Sequence, residues 1–148
     1  MSFEKLKLKN QLCFPLYAAS RLVIRQYQPL LEKLELTYPQ YLVLLVLWET
    51  DGLTVNQIAS TLVLNTNTIT PLLKRMEKQQ LLERKRMEDD ERKVLIKLTD
   101  AGKKLKLKAQ KIPESLVDNI GEDTLTTDEY YKLKEILGKI IIRLNGIE

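Results

Sequence analysis

Apolar residues return at three- and four-residue steps over the first third of the chain, through Leu12, Leu16, Ala19, Val23 and Tyr27, and this spacing predicts an amphipathic helix. Pro15 and Pro29 are expected to set its start or bend it. Thr37 can cap a second helix with Pro39 in its first turn. The stretch YLVLLVLWE that follows is apolar on nearly every side, so this helix must lie at the centre of the fold. Asp51-Gly52 is a turn signal, and Thr54 with Gln57 forms a capping box for a short helix over 55–62. Asn65, Thr66, Asn67 and Thr68 are cap and turn residues ahead of another helical run through Ile69, Leu72, Leu73 and Met76. Pro71 is tolerable only near that helix's first turn, which places its start around Asn67.

From Leu82 the period changes to two. Arg84, Lys85 and Arg86 lead into an acidic tip over 88–91, and Val94, Ile96 and Leu98 alternate with their neighbours, predicting a short hairpin. Thr99 then caps a helix through Leu105, Ala109, Ile112 and Leu116, with a kink expected at Pro113. In the last segment Tyr130, Leu133, Leu137, Ile140, Leu144 and Ile147 fall at alternating steps of three and four. Such a seam reads as part of a subunit interface, the alternative being packing on the chain's own first helix. The expected fold is mainly α with a small β-hairpin wing. One chain of 148 residues divides into dimerisation helices at 1–36 and 113–148 and a winged helix-turn-helix lobe at 37–112.

Composition narrows the chemistry. The chain has one cysteine and no histidine, which removes internal disulfides, Ser-His-Asp and Cys-His catalysis and histidine zinc sites. No metal, cofactor or enzymatic activity is expected. The net charge of +4 is uneven: residues 74–111 hold 14 Lys and Arg against 7 Asp and Glu. A basic block of this kind fits a nucleic-acid face or a solvated helix surface. No apolar run is long enough to span a membrane, and the start lacks the features of a secretory signal, so the expected location is the cytoplasm with no membrane partner.

The order of elements decides between those two readings of the charge. Two capped helices joined by a tight turn and followed at once by a basic hairpin form a winged helix-turn-helix. The second helix then enters the major groove of duplex DNA. Its Thr66, Asn67, Thr68 and Thr70 bring short donors and acceptors, Lys74 and Arg75 bring charge, and Ile58, Ile69 and Leu73 face inward. Arg84, Arg86 and Arg92 are expected to project from the ribbon toward phosphates and the minor groove, with Asp90 orienting Arg92 by a charge-assisted hydrogen bond.

The stretch from Asp90 and Arg92 through Ile96, Leu98 and Thr99 to Gly102 resembles the D-x-R-x-x-x-I-x-L-T-x-x-G signature of the MarR family. Residues 11–21, 36–41 and 72–77 are similar to its one-cysteine, organic-hydroperoxide-sensing (OhrR-like) branch, and the likeness spans roughly residues 8–112. The resemblance implies that Cys13 is the sensing thiol and that Tyr27 and Tyr38 supply hydroxyls to it from the other subunit of a homodimer. It further implies Arg92 as the wing arginine with Asp90 as its supporting acid, and a pseudo-palindromic operator as partner. Asn65-Thr66-Asn67 stands where the branch usually carries Asp-Ser-Gly, a departure that bears on operator sequence.

A thiol attacks peroxide as its thiolate. The free N–H groups and positive end of a helix starting near Cys13, together with two phenolic donors, favour that anion. Phe14, Leu16 and Tyr17 around it favour an organic over an inorganic hydroperoxide. With one cysteine, the oxidised sulfur must go on to an external low-molecular-weight thiol, a backbone nitrogen, a higher oxidation state or an intersubunit bond. Two other readings compete: a repressor answering to a small phenolic or apolar ligand, with Cys13 merely packed, and a one-cysteine peroxidase.

Overall fold

The computed structural model describes residues 3–146. Two single 3₁₀ turns, Glu4–Leu6 and Leu8–Asn10, precede helix α1, Cys13–Glu32. Next come α2, Tyr38–Glu49; strand β1, Leu53–Thr54; α3, Val55–Thr61; and α4, Thr66–Lys78. Strands β2, Leu82–Arg86, and β3, Val94–Leu98, form the hairpin, and α5, Asp100–Ala109, α6, Ile112–Ile120, and α7, Thr127–Leu144, complete the chain.

The expected caps form. Thr37 accepts from the Gln40 N–H while Gln40 Oε1 accepts from the Thr37 N–H, and Thr54 and Gln57 do the same at α3. Thr99 Oγ1 accepts from the Gly102 N–H at 3.1 Å. Each satisfies an N–H group that helix geometry would leave orphaned. Between α3 and α4 the chain reverses with Val63 at a φ of 55°, and Asn65 Oδ1 accepts from the Thr68 N–H at 2.9 Å. Helix α4 therefore begins at Thr66 and places Pro71 in its second turn, where the helix has no N–H to offer the Asn67 carbonyl.

Two sequence expectations need correction. The hairpin is part of a three-stranded antiparallel sheet of order β1-β3-β2, in which Leu53 pairs with Ile96 and Arg84 with Ile96 from the other side. Two residues of β1 are too few to show a period. Pro113 does not kink a continuous helix: α5 ends at Ala109 and α6 starts anew with Pro113 in its first turn, where a missing N–H costs nothing.

The core gathers Val43, Leu44 and Leu47 of α2, Ile58 of α3, Ile69, Leu73 and Met76 of α4, Leu82 of β2 and Ile96 of β3, all buried. Each such side chain contributes on the order of 1.5–3 kcal/mol. Gln40, the buried polar residue of this core, donates to Gln79 Oε1 at 2.8 Å and so ties the start of α2 to the end of α4. In contrast, α7 has no buried residue and α1 has only Leu31. Of the expected C-terminal seam, Ile147 lies outside the described residues. Among those residues, no helix is long and apolar enough to cross a membrane.

Candidate DNA interface and thiol site

Helix α4 is amphipathic, with Ile69, Leu72, Leu73 and Met76 buried on one side. Thr66, Asn67, Thr68, Lys74 and Arg75 are exposed and Thr70 is half-buried. By helical spacing, Asn67, Lys74 and Arg75 fan over the outer face, while Thr66 and Thr70 share the flank beside the wing. The Thr68 hydroxyl donates to Asn65 Oδ1 at 3.1 Å, so its proton serves the cap and its lone pairs remain for an incoming group.

At the wing tip, Asp90 Oδ1 accepts from both the backbone N–H of Arg92, at 3.1 Å, and its Nε, at 3.2 Å. The Arg92 side chain is otherwise open to solvent, 92% exposed. Arg86 is exposed as well. Arg84 departs from the expectation of three projecting arginines: its side chain is 20% exposed and turned toward α4. The reason is Glu77, whose Oε2 accepts from the Arg84 backbone N–H at 2.9 Å and whose Oε1 lies 3.8 Å from Nη1. Among the described residues, Arg84 Nε is buried without a partner. Glu77 is a residue that sequence reasoning missed, because its spacing of seven from Arg84 matches no local rule.

Cys13 is the first residue of α1 and is exposed, as are Leu12, Phe14, Leu16 and Tyr17 around it. Tyr27 lies on the same helix but about 21 Å further along, at about 1.5 Å per residue. A protomer's own Tyr27 is therefore out of reach of its thiol.

The two predicted phenols do come together. The rings of Tyr27 and Tyr38 are 5.0 Å apart, and Tyr41 joins them at 5.9 and 6.3 Å. Tyr41 was missed by sequence reasoning; it is buried inside the apolar run of α2 and also meets Trp48, edge-on at 6.4 Å. Burial pushes the Tyr27 phenol up to about 12, helped by the neighbouring Tyr38, Tyr41 and Tyr130. Burial likewise raises Tyr38, and raises Tyr41 together with Tyr38 beside it. All three hydroxyls thus keep their protons near neutral pH and can donate.

Tyr27 also faces a mainly apolar cavity of about 520 Å³ between α1, α6 and α7, whose other walls include Leu116, Val117, Ile120, Leu125 and Tyr130. Tyr38 borders a second, of about 440 Å³, beside Arg21, Arg25 and Gln28 of α1.

Residues 25–109 match the family described as transcriptional regulator SarA/Rot. The organic hydroperoxide resistance transcriptional regulator of Bacillus subtilis is 49% identical over 143 residues, covering 97% of this chain and 95% of its own length. The HTH-type transcriptional regulator MgrA of Staphylococcus aureus is 41% identical over 135 residues, 90% of each chain. Among solved structures, reduced AbfR bound to DNA superposes with a TM-score of 0.78 at 35% identity, covering 97% of this chain and 99% of that one. AbfR, a protein of Staphylococcus epidermidis, has also been solved in an overoxidised, DNA-bound form, with a TM-score of 0.74 at 36% identity, over 95% of this chain and 97% of that one.

Proposed function

The chain belongs to the SarA/Rot-type MarR family of winged-helix transcription regulators, and from that membership we propose that it is a cytoplasmic homodimeric repressor that leaves its operator when an organic hydroperoxide oxidises Cys13. It is a redox-sensing regulator, and its chemistry is stoichiometric rather than catalytic. The observation that carries the reading is the separation of thiol and phenols. Cys13 stands exposed at one end of α1, and the Tyr27-Tyr38 pair at the other end holds hydroxyl protons that are given to no acceptor among the described residues. A second copy brings the two together, with the uncovered apolar residues of α1 and α7, such as Phe14, Leu16, Leu133 and Ile136, as the contact.

In the reaction, the Cys13 thiolate attacks the peroxide oxygen distal to the organic group. The O–O bond breaks, the alcohol leaves with a proton, and the sulfur becomes a sulfenic acid. A small thiol condensing with it, with loss of water, leaves a mixed disulfide; a backbone nitrogen or the thiol of the second copy can take the small thiol's place, and further peroxide oxidises the sulfur instead. The added volume and the lost thiolate displace the phenols. Tyr38 is the first residue of α2, and α2 packs on α4, so the displacement alters the spacing of the two recognition helices. Those helices must stand about 34–36 Å apart to read both half-sites of a pseudo-palindromic operator.

On DNA, Asn67, Thr68 and Lys74 read the major groove, Arg86 and Arg92 address the wing contacts, and Thr66, Thr70, Arg75 and Arg84 hold phosphates. The expected result is that an organic hydroperoxide weakens operator binding by roughly 5- to 150-fold, a coupling of about 1–3 kcal/mol, while Cys13→Ser stays bound. Fluorescence anisotropy with labelled duplex measures both, and equal release of the two proteins would remove Cys13 from the mechanism. The apolar cavity beside Tyr27 supports a second reading, in which a phenolic or apolar ligand fills it. Release of both wild type and Cys13→Ser by such a ligand, without oxidant, distinguishes it.

A further inference from the structure

A cavity of about 250 Å³ opens between the start of α3, the flank of α4 and the wing, and its walls include Thr66, Thr70, Arg84, Arg92 and Lys93. Three cations line it and no carboxylate does. We propose that this cavity seats a single phosphate of the DNA backbone, with Arg84 as its inner donor and Glu77, which touches no DNA, as the residue that positions Arg84. The inference deepens the DNA-binding reading and rests on it.

The strand register explains why Arg84 is there. Leu82, Arg84 and Arg86 share one face of β2, and burial falls along them from the core outward. Arg84 sits where that face leaves the core and passes the side of α4. Glu77 takes the Arg84 backbone N–H at 2.9 Å and lies 3.8 Å from Nη1, which holds the strand and the guanidinium against the helix. Among the described residues, the Nε donor is left buried with nothing to bond. A buried N–H without an acceptor is a cost in the free protein, whereas the part of the guanidinium that lines the cavity is what an incoming anion meets. Guanidinium groups bind phosphate oxygens by two parallel N–H donors, and hydroxyls of the kind carried by Thr66 and Thr70 add further contacts.

Duplex geometry supplies the occupant. If α4 lies in the major groove and the wing reaches the adjacent minor groove, the phosphate strand dividing those grooves crosses the gap between them. That gap is this cavity. Arg92 and Lys93 stand at its wing-side wall and so face the same strand.

The probe is a duplex of about 30 base pairs, long enough for two half-sites, selected from random sequence with the wild-type protein. Neutral methylphosphonates replace its phosphates one position at a time. Wild type should lose affinity at one particular position per half-site, to which Arg84→Ala is indifferent while remaining sensitive elsewhere. The dependence of log affinity on log salt should become shallower by about 0.9 for each Arg84 removed, one phosphate per protomer. Glu77→Gln keeps the cation but loosens it, so its affinity should fall with the salt dependence unchanged, a split that a mere folding defect does not produce. Arg84→Lys, which keeps charge without the fork, should fall between wild type and Arg84→Ala, and matched thermal melts show that each variant is folded. If Arg84→Ala is as sensitive as wild type at every methylphosphonate position, the seat is overturned and the DNA reading stands. If wild type enriches no duplex, the DNA reading itself fails. Replacing chloride by inorganic phosphate at constant ionic strength should displace no DNA; displacement that disappears in Arg84→Ala would assign the seat to the free ion instead.

Discussion

At the scale of single residues, the phenols show how position sets chemistry. Tyr27 is raised from 10.0 to about 12, first by burial and then by its tyrosine neighbours. In the unfolded chain it ionises near the ordinary value; in the folded chain it holds its proton longer. The folded state therefore keeps its full advantage below pH 10, then loses it as the pH climbs toward 12. The denaturant midpoint, measured from pH 8 upward, should be flat as far as this group is concerned until about pH 10 and then fall. Tyr27→Phe should remove part of that fall, and an unchanged alkaline profile would show that the Tyr27 environment is not the one described. Near neutral pH the phenol is a hydrogen-bond donor, as it would be without the shift, and the shift extends that state into the alkaline range. Arg84 and Arg92 make a parallel contrast: one arginine is fixed by an acid seven residues away in sequence, the other by an acid two residues away, and the first is largely buried while the second is open.

Between elements, a close approach is made at Gly102 in the first turn of α5. A Cβ there would stand 2.1 Å from the Leu81 carbonyl oxygen, a backbone atom that cannot step aside. The same turn accepts a hydrogen bond from Trp48 Nε1 at 2.9 Å, which joins α5 to α2. Gly102→Ala gains about 1 kcal/mol of helix propensity but must push α5 off Leu81, the residue before β2, an overpacking cost of about 1–3 kcal/mol or more. We expect net destabilisation, read as a lowered melting temperature, together with altered emission from Trp48, the single tryptophan of the chain. A variant as stable as wild type with unchanged emission would show that α5 does not need this approach. The capping pattern belongs to this scale too: threonine or asparagine side chains start five of the helices, so their beginnings are set locally.

For the whole molecule, the imbalance between a closed core and uncovered helices is the dominant feature. The winged-helix lobe buries its apolar residues, whereas α7 leaves Leu133, Ile136, Ile141 and Ile142 exposed and half-buries Leu137 and Ile140. A stable dimer needs about 1,200–2,000 Å² of buried surface in total, and the faces of α1 and α7 are the apolar area on offer. Leu133→Glu combined with Ile140→Glu should give a monomer by sedimentation that melts near the wild-type temperature, since neither residue contributes to the lobe's core. Its affinity for a two-half-site duplex should drop by at least an order of magnitude, since each half-site is then held separately. A dimer that survives both charges would move the interface elsewhere.

The sequence by itself determined most of the elements and their order, because caps at Thr37, Thr54 and Thr99, the period change at Leu82 and the apolar run of α2 act within a few residues of themselves. It also determined the inward face of α4, through Ile69 and Leu73, and the Asp90-Arg92 contact. Only the tertiary structure decided the rest. Strand β1 exists because β3 has an open edge for it, and Tyr41 joins Tyr27 and Tyr38 because α1 and α2 cross there. Glu77 reaches Arg84 through a turn at Gln80. The physical reason is one of range: hydrogen bonds at helix ends and side-chain periodicity are read along the chain, whereas a strand edge, a ring cluster or a buried donor lacking an acceptor comes into being only when distant segments meet.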